Sequence, residues 1–158
     1  MQVTIQQIND KKLIGIRATM SLKDYRVADL WRTFHVRRPQ ISNIVSPELF
    51  SLTIYNSQYF ARFNPAIEFE KWAAVEVSDF SRVTDGWETC VLPGGLYAVF
   101  EYKGLSSNNS IFEYIYTSWL PQSGYILDDR PHVEVLGARY KNDDPESEEL
   151  IWIPIRSV

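Results

Sequence analysis

Apolar positions recur along the chain with two periods, and both halves show them in the same order. Val3–Ile8 alternates imperfectly, a polar bend follows at Asn9-Asp10-Lys11-Lys12, and residues 13–18 alternate again, which predicts strand, turn, strand. Val27, Leu30, Trp31 and Phe34 then stand at i, i+3, i+4 and i+7, one apolar face of a helix that starts near Asp24 and stops before Pro39. Residues 49–55 and 72–77 read as further strands, separated by a loop that carries Tyr59, Phe60 and Phe63.

The second half repeats the pattern. Pro93-Gly94-Gly95 introduces a strand over residues 96–102, ended by Gly104. A polar run then leads to Ser110 and Glu113, whose spacing predicts a capping box in which each side chain satisfies a free backbone N–H. Phe112, Ile115, Tyr116 and Trp119 again form a helical stripe, and Pro121 with Gly124 ends it. Strands near 132–140 and 149–155 follow, joined by the acidic turn Asn142-Asp143-Asp144-Pro145-Glu146. Each half therefore reads strand, helix, strand, strand, a matched order that suggests duplication. The expected architecture is α+β. Two such modules, at about 1–90 and about 91–158 of a single domain, are related by a pseudo-twofold. They form an antiparallel sheet with two main helices and a cleft at their junction.

Composition narrows the function. With 158 residues, 45% of them hydrophobic, the chain has the size and apolar content of one globular domain rather than a disordered segment. No window approaches the roughly 18 consecutive apolar residues of a membrane span. Met-Gln-Val-Thr-Ile lacks the basic patch and apolar run of a secretory signal, so a cytoplasmic location is expected. Cys90 is the only cysteine and His35 and His132 the only histidines, which excludes an internal disulfide, a thiolate cluster and a multi-histidine zinc site. No cofactor and no metal are expected. The net charge of −4 argues against direct nucleic-acid binding, and the one basic concentration, Arg32, His35, Arg37 and Arg38, suits a solvated helix C-terminus. The acidic turn lacks the spacing of a calcium loop. The 5 Trp, 9 Tyr and 8 Phe exceed what a core this size needs, so part of this set is available to line a site.

The strongest chemical candidate is Glu134. In a strand from His132, period two places His132, Glu134 and Leu136 on one face and the packed Val133 and Val135 on the other. A mid-strand carboxylate at the floor of an aromatic cleft would have its pKa raised by desolvation and serve as counter-ion to a cation or as general acid/base. On the last strand, Leu150 and Trp152 alternate with Ile151, Ile153 and Ile155, which predicts that Trp152 turns away from the core to wall the cleft.

Four segments, Leu96-Tyr97-Ala98-Val99-Phe100, Trp119-Leu120-Pro121-Gln122-Ser123-Gly124-Tyr125, Asp129-Arg130-Pro131-His132-Val133-Glu134 and Trp152-Ile153-Pro154-Ile155, together resemble the GyrI-like small-molecule-binding family. This is the effector-binding domain also found in AraC-type and multidrug-responsive transcription regulators. The resemblance implies a ligand cleft between the modules, walled by aromatics, with a buried glutamate facing cationic, lipophilic compounds. By motif position it assigns that glutamate to Glu134 and pocket aromatics to Tyr97 and Trp152, with Tyr55 a further match. Relatives often carry another glutamate where this chain has Leu150, a departure that implies weaker preference for cations.

Three functions follow from this reading. The first is a stand-alone binding module for hydrophobic aromatic or cationic small molecules. The second is a hydrolase of strained, cyclopropane-bearing electrophiles that uses Glu134 as general acid/base. The third is a gyrase-inhibitor-like partner of another protein, acting through its outer surface.

Overall fold

The computed structural model describes residues 2–158. Its strands are β1 (Val3–Ile8), β2 (Lys11–Met20), β3 (Ile44–Ile54), β4 (Phe69–Val77), β5 (Glu88–Leu92), β6 (Gly95–Lys103), β7 (Tyr125–Leu127), β8 (His132–Leu136) and β9 (Glu148–Ser157). Helix α1 (Val27–Arg37) joins β2 to β3 and runs into a 3₁₀ turn, Arg38–Gln40. Between β6 and β7 the chain forms α2 (Ser110–Tyr114), a π-helical turn (Ile115–Trp119) and α3 (Leu120–Gln122). Among the described residues no helix is long and apolar enough to cross a membrane.

All strand pairs are antiparallel, in the order β1-β6-β9-β8-β3-β4-β2-β5, with β7 beside the end of β9. The inner six strands read the same from either side: in each half the third strand lies between the first and the second. The two second strands, β3 and β8, meet at the seam through the pairs Ser51↔Glu134 and Thr53↔His132. This is the α+β fold with two strand-helix-strand-strand modules and two helical layers that the pattern predicts.

The hairpin expected from 3–18 does not form. β1 pairs with β6 of the other half, and β5, which the pattern does not announce, pairs with β2. Each short strand thus crosses to the opposite module. The two crossing links touch: the Gly94 N–H donates to Asp10 Oδ1 at 2.6 Å, and a Cβ on Gly94 would lie 2.5 Å from the Ile8 carbonyl oxygen. Only glycine allows that approach.

The sheet is therefore curled, and its faces have different covers. Leu13, Phe50, Leu52, Trp72, Tyr97, Val99, Val133, Val135 and Trp152 form one apolar cluster on the face without helices. On the other face α1 covers the first module through Leu30 and Phe34, packed with Val75 and Trp87. Ile111 and Ile115 cover the second module over Phe100, Ile151 and Ile153. The region between these helical layers lies over the β3–β8 seam.

Local details depart from the pattern for identifiable reasons. α1 begins at Val27 rather than near Asp24, because the Asp24 N–H bonds Ser21 Oγ in a turn of its own. Ser110 is not a cap: Asn108 Oδ1 accepts from the Ser110 N–H at 3.0 Å, and Asn109 takes the cap position. The helix widens after Tyr114, where the Thr117 hydroxyl donates to the Glu113 carbonyl at 2.6 Å and competes with the backbone for it. β8 stops at Leu136 rather than continuing to Tyr140.

Candidate functional site

Strand register decides which side chains share the seam. Glu134 pairs with Ser51 on one side and Ile151 on the other, so it projects from the same face as Ile151 and Glu149, between the two helical layers. Lys71, opposite Thr53, projects from that face too, as do Phe69 and His132. The seam therefore gathers Glu134, Glu149, Lys71, Thr53 and His132 on one floor.

The floor is a small charge network. Lys71 is buried; its Nζ donates to Thr53 Oγ1 at 2.8 Å and lies 3.9 Å from Glu134 Oε1. Burial lowers the Lys71 pKa, while Glu134 and Glu149 oppose that shift. The Glu134 side chain keeps 24% of its surface exposed. Glu149 is buried, and its Oε2 finds no hydrogen-bond partner among the described residues. Burial, reinforced by the charge of Glu134 beside it, holds the Glu149 carboxyl well above the usual carboxylate range. His132 bonds Tyr116 Oη through Nδ1 at 2.8 Å. Burial, helped by the Lys71 charge, lowers its pKa to about 3, so the imidazole is neutral at physiological pH.

Aromatic rings surround this network. Tyr55 lies 4.8 Å from His132, nearly perpendicular to it, and 4.4 Å from Tyr59. Phe60 stacks on His132 at 5.5 Å and 19° and lies 5.0 Å from Tyr116. Phe69 joins Tyr55 at 5.7 Å and Tyr25 at 6.3 Å. The Tyr55 and Tyr116 phenols are raised far above their usual value, first by burial and also by neighbouring groups that include Glu134. Tyr25 is about half exposed, yet its phenol is raised by burial of the hydroxyl end and by Glu134 and Glu149. The 55–69 segment thus folds its aromatics back over the seam. An open depression of about 300 Å³ borders the outer edge of this cage, at Tyr55, Phe69, Glu68 and Glu70.

The candidate residues separate into two groups. Glu134 and Tyr55 come together at the seam. Tyr97, Trp152 and Leu150 do not: they belong to the apolar cluster on the opposite face. The register sets Trp152 apart from Glu134, since Trp152 pairs with Val133 and not with Glu134. The isoleucines of β9 share the side of Glu134, so the residue between them points away from it. Tyr97 donates its hydroxyl to the Pro93 carbonyl at 2.9 Å and carries the Arg130 guanidinium 4.6 Å above its ring. Arg130 in turn bonds Asp128, at 2.6 Å, and the carbonyls of Leu96 and Ile155. Gly95, at φ +144°, leaves the room this guanidinium needs.

Leu150, too, lies on the face away from the seam. Glu149, one position earlier and on the seam face, supplies a second carboxyl. Its signal lies in the pattern, since it has the parity of Ile151, Ile153 and Ile155 and so belongs to their buried face. Lys71 is likewise in phase with Phe69 and Ala73. Sequence reasoning passed over both residues, along with Tyr25, Tyr59, Phe60, Phe69 and Tyr116 as members of one cage.

The model of the Cass2 family, described as integron-associated effector binding protein, matches residues 4–155. The chain belongs to that family. It is a GyrI-like, effector-binding family, in keeping with the resemblance read from the four sequence segments. No curated protein sequence gives a significant match. Among solved structures, SAV2435 bound to tetraphenylphosphonium superposes with a TM-score of 0.74 at 16% identity, over 99% of this chain and 94% of that one. The C-terminal domain of EcmrR gives 0.73 at 16% identity, over 99% and 98%. An integron cassette protein from Vibrio cholerae gives 0.67 at 13% identity, over 98% and 95%. At these identities the likeness is one of fold. With the family, it supports small-molecule binding as the general function.

Proposed function

We propose that the protein binds lipophilic aromatic small molecules, cations among them, in the cleft over the β3–β8 seam, with Glu134 as counter-charge. The observation that carries this reading is a partly accessible carboxylate ringed by Tyr25, Tyr55, Tyr59, Phe60, Phe69 and Tyr116. Flat apolar ligands gain contact area from such rings. A cation gains a further ~0.5–2 kcal/mol from each well-placed aromatic face, beside the Coulomb attraction of the carboxylate. The relative SAV2435, captured with tetraphenylphosphonium, is a precedent for such a ligand on this fold.

The test is displacement of a fluorescent dye by tetraphenylphosphonium and by its neutral analogue triphenylphosphine oxide, on the wild-type chain and on Glu134→Gln. Both probes bind the wild type, and the substitution weakens the cation selectively. Equal weakening of both, or of neither, contradicts the assigned role of Glu134. Turnover of a cyclopropane-bearing alkylator, lost in Glu134→Gln with binding intact, would replace binding by hydrolysis as the function.

A further inference from the structure

One ammonium and two carboxyls share the seam face of the sheet, and their placement is unequal. Lys71 Nζ lies 3.9 Å from Glu134 Oε1, so the charge of Glu134 is shared between this ammonium and whatever else enters the seam. Glu149 is the more deeply buried carboxyl, and its Oε2 has no hydrogen-bond partner among the described residues. A buried carboxylate with an orphaned oxygen and a second carboxylate beside it is costly, whereas the protonated form is not.

The groups that act on Glu149 come from each element around it. Glu134 on β8 disfavours its ionisation and Lys71 on β4 favours it. The phenols of Tyr102 on β6 and of Tyr25, ahead of α1, both respond to its charge. Tyr140, just beyond β8, acts on Tyr25, and neutral His132 faces Lys71. None of these but Lys71 is a cation, so the floor in its free state is close to neutral overall.

We infer that a cation is taken into this cleft in exchange for the proton of Glu149, so that two carboxylates, Glu134 and Glu149, stand against Lys71 and the bound cation. The inference rests on the reading of the cleft as a ligand site and specifies how that site discriminates charge. The step is Glu149–COOH plus ligand cation giving Glu149–COO⁻ beside the bound cation, with one proton released to solvent. Neutral aromatic ligands occupy the same rings and release none. Cation affinity therefore climbs with pH, by up to about tenfold per unit while the free site holds the proton.

Isothermal titration calorimetry at pH 7 in phosphate and in Tris, buffers of different ionisation enthalpy, counts the protons exchanged. With tetraphenylphosphonium the wild type releases close to one proton per ligand, and with triphenylphosphine oxide close to none. Glu149→Gln, isosteric with the protonated acid, abolishes the release. Cation binding without proton release, or release that persists in Glu149→Gln, overturns the exchange while leaving the ligand site standing. Binding of neither probe overturns the ligand site itself, and the exchange with it. Should the variant fail to fold, the pH dependence of wild-type cation affinity decides: a slope near one per pH unit between pH 6 and 8 supports the exchange, and a flat profile refutes it.

Discussion

Glu134 and Ile151 face each other across the β8–β9 ladder, and that pairing fixes the side of the sheet on which the chemistry of this protein sits. From it follow the company of Glu149 and Lys71, and the removal of Trp152 to the opposite face.

The first consequence concerns Trp152 and Tyr97. Ligand affinity in Trp152→Phe and Tyr97→Phe stays within about twofold of wild type, because neither side chain reaches the seam. Tyr97→Phe instead loses the bond to the Pro93 carbonyl and about 1 kcal/mol of stability. Urea denaturation and dye displacement on the same samples separate the two effects. A tenfold loss of affinity in Trp152→Phe with stability intact would show that the ligand uses the other face.

The aromatic loop gives the opposite pattern. Phe60 is 42% exposed and stacks on His132, so Phe60→Ala removes a wall of the site at small cost to the core. Affinity for polyaromatic ligands falls by about 3–10-fold, the value of one aromatic contact, with the melting temperature little changed. Unchanged affinity would place the ligand elsewhere.

Arg130 supports the second module from beneath. Arg130→Met strands the carbonyls of Leu96 and Ile155 and frees Asp128, costing about 2–4 kcal/mol as buried groups lose partners. Chemical denaturation measures this directly. A cost below about 0.5 kcal/mol, the range of ordinary surface changes, would show that water replaces the guanidinium.

Two buried groups make stability depend on pH with opposite signs. His132 titrates near 3 in the folded chain against 6.5 when exposed, so the unfolded state binds the extra proton between those values. Stability from this group is lost as pH falls from about 6.5 toward 3, at up to ~1.4 kcal/mol per pH unit. Glu149 is raised when folded, so its contribution is full below 4.5 and is lost as pH rises through its folded value. The slopes oppose each other between 4.5 and 6.5, and single variants resolve them. Relative to wild type, Glu149→Gln gains stability as pH is raised from 5 to 8, and His132→Gln loses less stability than wild type as pH is lowered from 6.5 to 4.5. Parallel pH profiles for the variants and the wild type would mean that neither group is held as the fold places it.

Much of this fold is legible in the sequence. The stripes Val27-Leu30-Trp31-Phe34 and Phe112-Ile115-Tyr116-Trp119 fix both helices, because amphipathic periodicity is a local signal. The crossing of β1 and β5 between modules is not, since pairing partners are set by tertiary register and the bend at Asn9-Asp10 looks the same in a hairpin and in a crossover. At the site, Glu134 stood out as a carboxylate between valines. Trp152 is legible as lying opposite the isoleucines, but which side Glu134 shares is not, because a run in which Leu150, Trp152 and Pro154 alternate with isoleucines is apolar on both faces. Glu149 was hidden by its neighbours Glu146 and Glu148, which make it look like the end of a solvated turn.

The most direct check of the whole account is a structure of the complex with tetraphenylphosphonium, by crystallography or from intermolecular NOEs. The account predicts phenyl rings against Tyr55, Tyr59, Phe60 and Tyr116, with the phosphonium toward Glu134 and Glu149. A ligand lodged instead against Tyr97 and Trp152, or held only on the outer surface, would contradict it.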